Sequence, residues 1–208
     1  TDQSGEGNNF TVGGGTLTNT EDSPSNVFCT LNPLSTDSGV TLSSGNTESD
    51  YDASVGNAKG TLAFSSGKYY WEAKIATASS DYPMLGIGSV DEAQMQKPTG
   101  GSYPGGFTNS YGVYGNGVVY ANGSNTGSQS FTYATNDIIG IAVDLDSATK
   151  TIKWYKNGSQ IATYNITTVA PFTSMDYNGA EASVNIQYNF GNGYFGTTAV
   201  ASAGTNAS

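Results

Sequence analysis

Residues 135–158 read TNDIIGIAVDLDSATKTIKWYKNG, and the fold follows from how that string alternates. Ile139, Ile141, Val143 and Leu145 recur at period two, which puts them on one side of an extended chain. Asp144, Asp146 and Ser147 supply a polar turn, after which Ile152 and Trp154 resume the same period. Asn157-Gly158 then gives the strongest short-range signal for a hairpin turn. Two antiparallel strands with one buried face are expected, joined by an acidic turn.

Working outward, the same alternation recurs. Tyr69, Trp71, Ala73 and Ile75 face one way, and Tyr70, Glu72 and Lys74 the other. Ala182, Val184, Ile186, Tyr188 and Phe190 alternate with Ser183, Asn185, Gln187 and Asn189, the cleanest half-buried strand in the chain. Residues 111–114 and 118–120 flank Gly115-Asn116-Gly117 as a hairpin, and residues 122–127 read as a turn or loop. Leu85 to Val90 is a short glycine-rich strand of the kind another backbone approaches closely. Residues 26–62 suit short edge strands anchored by Phe28, Leu31, Leu42 and Leu62. Residues 91–110 form the longest stretch without alternation: DEAQMQ allows one helical turn, and Pro98, Pro104 and paired glycines break any regular element. Short strands between Gly, Asn and Ser turns, with no helical periodicity, predict an all-β sandwich or barrel. Trp71 and Trp154 fall on its core side.

The 208 residues suffice for one domain with its own core. We place it at 23–195, preceded by a Gly-, Asn- and Thr-rich linking segment at 1–22. Residues 196–208, small and without anchors, read as a tail leading to a further segment. No apolar run reaches the roughly 18 residues of a membrane span, so no membrane insertion is expected. Nor does the N-terminal sequence carry the basic and apolar regions of a signal peptide.

Charge and missing residue types narrow the function. Seven lysines, no arginine and seventeen acids leave a net charge of −10. The nearest approach to a basic cluster is Lys150, Lys153 and Lys156, so nucleic acid is excluded as a partner. The absence of histidine rules out Ser–His–Asp and Cys–His nucleophiles and imidazole-bound zinc. Cys29 stands alone, so there is no internal disulfide, and it reads as a small buried hydrophobe. Sugar hydrolysis needs two carboxylates flanking the bond. The clear strands offer only Glu72, while Asp144 and Asp146 sit at a strand end where an Asx-type turn explains them. Those two acids with Ser147 lack the loop spacing of a calcium site, and the turn is the reading adopted over calcium binding. No catalytic residue, cofactor or metal is assigned.

Five blocks of the chain, in order, resemble the SPRY domain family. They are Gly67-Lys68-Tyr69-Tyr70-Trp71-Glu72, Leu85-Gly86-Ile87-Gly88, Tyr111-Gly112-Val113-Tyr114, Asn136-Asp137-Ile138-Ile139-Gly140 and Asn189-Phe190-Gly191. Trp154 departs from the Phe of many members. The resemblance implies a bent antiparallel β-sandwich of concanavalin-like jelly-roll form that binds partners and catalyses nothing, with its ligand surface built by loops at one face. Pro24-Ser25-Asn26-Val27-Phe28-Cys29-Thr30-Leu31-Asn32-Pro33-Leu34 is similar to the lead-in found before SPRY domains in structural proteins of tailed, especially marine, bacteriophages. That second resemblance implies a virion fibre, tail or capsid-decoration module at the particle surface. Its expected partners are a host-surface glycan or protein, other virion subunits, or copies of itself. Two rivals stand beside this reading: a cellular SPRY adaptor for a peptide motif, and a glycan hydrolase on a concanavalin-like sandwich.

The candidate contact residues are aromatic and lie off the alternating strands. Tyr82, Tyr103, Phe107 and Tyr177 sit among Pro, Gly and Asn, where loops on a rigid scaffold carry recognition. Tyrosine offers a flat apolar face with a hydroxyl at its edge, at low entropic cost. The same rings could instead pin long loops onto the sheet.

Overall fold

The computed structural model describes residues 28–52, 55–78, 83–93, 95, 102–179 and 183–200. Alternation becomes pairing over fifteen strands: β1 (Thr41–Ser43), β2 (Glu48–Asp50), β3 (Gly56–Lys59), β4 (Lys68–Ala78), β5 (Pro83–Ser89), β6 (Ser110–Tyr114), β7 (Val118–Ala121), β8 (Ser124–Ser128), β9 (Ile138–Asp144), β10 (Thr151–Lys156), β11 (Ser159–Asn165), β12 (Phe172–Asn178), β13 (Val184–Asn189), β14 (Tyr194–Phe195) and β15 (Thr198–Ala199). The one helical element described is a single 3-10 turn at Pro33–Ser35. A seven-stranded sheet has the order β1-β2-β13-β4-β9-β10-β11, and a six-stranded sheet the order β3-β12-β5-β6-β7-β8. All pairings are antiparallel, and the two sheets stack as a sandwich.

The core forms where the period-two residues meet. Ile139, Ile141 and Val143 of β9, Ile152 and Trp154 of β10, Trp71, Ala73 and Ile75 of β4 and Val184, Ile186 and Tyr188 of β13 join one cluster with Leu85, Ile87, Tyr111 and Val113 of the other sheet. Trp154 is fully buried and its Nε1 donates to the Leu85 carbonyl at 3.0 Å, tying β10 to β5 across the core. Burial of one such side chain is worth about 2–3 kcal/mol.

A polar clasp also crosses the core. Asp176 on β12, 1% exposed, accepts from Ser49 Oγ at 2.8 Å, Tyr51 Oη at 2.5 Å, Tyr188 Oη at 2.5 Å and the Ala58 N–H at 2.8 Å. Ser49 and Tyr188 belong to the opposite sheet, so one carboxylate joins both layers. Burial pushes its pKa up, and the four donors counter that only in part.

The turns follow the sequence reading. Asn157 and Gly158 both take positive φ, 49° and 83°. Asp144 Oδ1 accepts the N–H groups of Asp146 and Ser147, while its Oδ2 receives Ser147 Oγ at 2.7 Å and Lys68 Nζ at 3.0 Å. Asp146 Oδ1 takes the Gly67 N–H at 2.7 Å. These acids are thus engaged as an Asx turn, and no metal-ligating trio occurs among the described residues.

Three expectations are corrected, and a fourth observation concerns the chain's end. Residues 122–127 are more than a loop, because Asn122 and Gly123 at positive φ turn the chain into β8. Leu62 is 48% exposed and anchors nothing; Leu31 alone of the expected set is fully buried, through its bridge to Gly60. Cys29 is partly exposed beside Thr61. Backbone pairing runs past Phe195, since β14 pairs with β15 and Val200 donates to the Gly193 carbonyl. The linking segment 1–22, Tyr82, Ala182 and residues 201–208 lie outside the described residues.

Candidate binding surface

Three strands of the six-stranded sheet, β3, β5 and β12, do not alternate. β3 and β5 are buried at every position and β12 at all but Tyr177, so this sheet is covered on its outer face as well. The cover is irregular chain. Residues 31–37 lie along β3, where Asn32 donates its N–H to the Lys59 carbonyl and Asp37 to that of Asn57. Residues 102–109 lie across β6 and β7.

Two glycines let that second segment sit directly on the strands. A Cβ on Gly112 would come within 2.3 Å of the Pro104 carbonyl oxygen, and one on Gly105 within 2.4 Å of the Tyr120 carbonyl oxygen. Ser110 Oγ then pins the loop: it accepts the N–H groups of Gly105 and Phe107 and donates to the Phe107 carbonyl at 2.6 Å. Asn57 Nδ2 holds the Ser102 carbonyl, and the Gly123 N–H holds that of Gly105.

This seating carries Tyr103 onto the sheet. Its ring meets Tyr120 of β7 edge-on at 5.5 Å and Tyr177 of β12 at 5.6 Å, and Tyr120 meets Tyr114 of β6 edge-on at 6.4 Å. Tyr177, Met84 and Tyr114 stand in one row across β12, β5 and β6. The four rings are each half-buried, so they form a continuous aromatic surface with faces left to solvent. Edge-to-face pairs of this kind add about 0.5–1.5 kcal/mol each and fix the rings against one another.

Two of the sequence-predicted residues, Tyr103 and Tyr177, are therefore brought together. Phe107 is not with them. At 6% exposure it packs with Met95 and Met175 in a small separate cluster, pinning the loop rather than offering a face. Tyr114 and Tyr120 escaped sequence reading because they lie inside strands. The available signal was phase: they fall on the opposite side of β6 and β7 from Tyr111, Val113, Val119 and Ala121, which are core.

A buried acid stands beside this surface. Asp37 Oδ2 accepts the Asn57 N–H at 2.9 Å, and Asn57 is the β3 partner of Tyr177. Burial raises the Asp37 pKa, partly offset by the Asn57 N–H and the charge of Lys59. Desolvation, the Tyr103 ring and Asp37 together raise that of Tyr177. On the other sheet, Glu72 is held by Tyr70 Oη at 3.0 Å and Asn189 Nδ2 at 3.3 Å.

Comparison with known proteins bears on the fold. The SPRY domain family model matches residues 68–189. No curated protein matches the chain by sequence. Among solved structures, the TRIM65 PSpry domain superposes with a TM-score of 0.62 at 14% identity, over 78% of this chain and 90% of that one. The SPRY domain of human HERC1 gives a TM-score of 0.60 at 16% identity, over 76% of this chain and 96% of that one. The stonustoxin structure gives 0.62 at 18% identity over 78% of this chain, but this chain spans only 27% of it.

Proposed function

The chain belongs to the SPRY domain family, a fold that serves as a protein-binding module, and from that membership we propose that it binds a partner through the Tyr103–Tyr114–Tyr120–Tyr177 surface without catalysing a reaction. The observation that carries this reading is the pinned loop 102–109, which holds an aromatic surface at the exterior of an otherwise buried sheet. Pre-organised tyrosines bind at low entropic cost because their positions are set before the partner arrives.

The finer reading is a virion structural module of a tailed bacteriophage, displayed on the particle and engaging a host-surface protein or glycan or a neighbouring subunit. The lead-in at 24–34 supports it, as does an acidic, arginine-free composition unsuited to nucleic acid. The carboxylates that a hydrolase would need are instead hydrogen-bonded in place: Glu72 to Tyr70 and Asn189, and Asp144 to its own turn.

The test is a Tyr103→Ala/Tyr177→Ala double variant, assayed for binding to intact host cells, to purified particle subunits and to a glycan array, alongside release of reducing sugar. Loss of binding by at least about tenfold, with no sugar released by either protein, is expected. Unchanged binding would remove the tyrosines from the contact, and turnover would overturn the non-enzymatic reading.

A further inference from the structure

The two sheets end in four edge strands, and three of them are blunted in different ways. β1 is only three residues long. β3 is covered by residues 31–37, which hydrogen-bond to Asn57 and Lys59 along its length. β8 is bent by a bulge opposite Val119 and Tyr120, and Gly127, at φ 125°, turns its N–H onto Asn125 Oδ1 at 2.9 Å. Proteins manage edges in these ways because a free row of N–H and C=O groups recruits another strand.

β11 has no such device. It runs for seven residues, contains no proline, and hydrogen-bonds only to β10 among the described residues. Its one bulge lies at the hairpin end, opposite Trp154 and Tyr155, leaving residues 162–165 regular. Register fixes which groups are free. Ile166 donates its N–H to the Lys150 carbonyl, so Tyr164 and Ala162 bond inward to β10, and the N–H and C=O of Thr163 and Asn165 point away from the sheet. Both residues are exposed.

We propose that β11 is a self-association edge, on which a second copy of this chain pairs antiparallel about a two-fold axis through Tyr164. Thr163 of each copy then faces Asn165 of the other, making four backbone hydrogen bonds and joining two seven-stranded sheets into one. The commitment to a second copy rests on symmetry and charge. Two outward residues flanking one inward residue are self-complementary across a two-fold axis. Residues 157–175 carry no charged side chain, so this is a line along which two chains of net charge −10 can meet without opposing like charges. The contact is smaller than the roughly 1,000 Å² of a durable interface.

Sedimentation equilibrium of the full chain from about 10 µM to 1 mM tests this, a range set by the small interface. A mass rising toward twice 21.5 kDa is expected, with the Thr163 and Asn165 amides gaining exchange protection at the high end. Thr163→Pro removes only an outward N–H, and Thr163→Lys/Asn165→Lys adds charges to the edge. Either should leave a monomer at all concentrations, and the lysine variant decides if the proline variant does not fold. A wild-type chain monomeric throughout overturns the proposal, as does protection of those amides in a monomer, which would put another segment of the same chain there. Edge variants that associate like wild type overturn it too.

Discussion

In the seven-stranded sheet, β10 and β13 alternate buried with half-buried residues, whereas β3, β5 and nearly all of β12 in the six-stranded sheet are buried on both faces. One sheet needs a single apolar face and leaves the other to solvent. The second is covered outside by chain that has no period. The difference shows where each kind of surface comes from: regular side chains on an open sheet in the first case, a folded loop carrying tyrosines in the second.

The contrast is broken most severely at its shared core. Trp154→Ala removes the largest buried side chain and the indole donor that ties β10 to the Leu85 carbonyl, so a loss of about 4 kcal/mol is expected in urea unfolding. A loss below about 1 kcal/mol would mean the sheets do not meet there. Asp176→Ala comes next, at about 3 kcal/mol, because Ser49, Tyr51, Tyr188 and the Ala58 N–H all lose an acceptor inside the core.

The two sheets also differ in how acids respond to pH. Burial raises the Asp176 pKa above its ordinary 3.8, so the native state keeps that proton longer than the unfolded chain. Its contribution is greatest at low pH and falls as pH rises through 3.8 toward the raised native value. Asp137 is the opposite case. Burial alone would raise its pKa, but Lys156, Asn157 and the Ala134 N–H outweigh it and hold the carboxyl below 3.8. The unfolded chain takes up that proton first, and stability is lost as pH falls through the depressed native value. Urea midpoints from pH 2 to 7 should lose their acid-side decline in Asp137→Asn and their decline above pH 3.8 in Asp176→Asn. Unaltered profiles would show that other groups set the pH dependence.

Glycine substitutions sharpen the comparison at smaller cost. Gly112→Ala drives a methyl into the Pro104 backbone and should lose about 2 kcal/mol while freeing the loop. Gly140→Ala in the other sheet meets the hydroxyl and ring edge of Tyr70, a side chain that can shift by giving up its bond to Glu72 where backbone cannot, so a loss of about 1 kcal/mol is expected. Equal losses, by thermal melting, would deny that one face is covered and the other open. Tyr103→Ala is the mildest for the fold, since its side chain is only partly buried, and its effect should fall on binding instead.

Legibility tracked the same divide. Ile139 to Leu145, Ile152 and Trp154 announced their sheet because one face is apolar and the other wet. The acidic turn and Asn157-Gly158 were readable because their backbone chemistry is local. β8 was missed, since SNTGS has neither apolar alternation nor β-branched bulk, and only its neighbour β7 makes it a strand. The Asp176 clasp was invisible because Ser49, Tyr51, Ala58 and Tyr188 are brought to it from distant parts of the chain. Tyr103 was legible as a loop aromatic, whereas Tyr177, chosen on the same ground, lies inside β12, where MDYN lacks the apolar alternation that would have marked it as strand. Their union with Tyr114 and Tyr120 was not legible, because it depends on where a periodless loop comes down.

Amide exchange mapping, on the domain bound to a protein partner selected against it by display, bears most directly on the tyrosine surface. Protection concentrated in residues 102–107, 112–120 and 177–179, and lost with Tyr103→Ala, is the predicted result. Protection confined to the solvent face of β4, β9 and β13, with the 102–107 segment unchanged, would contradict it.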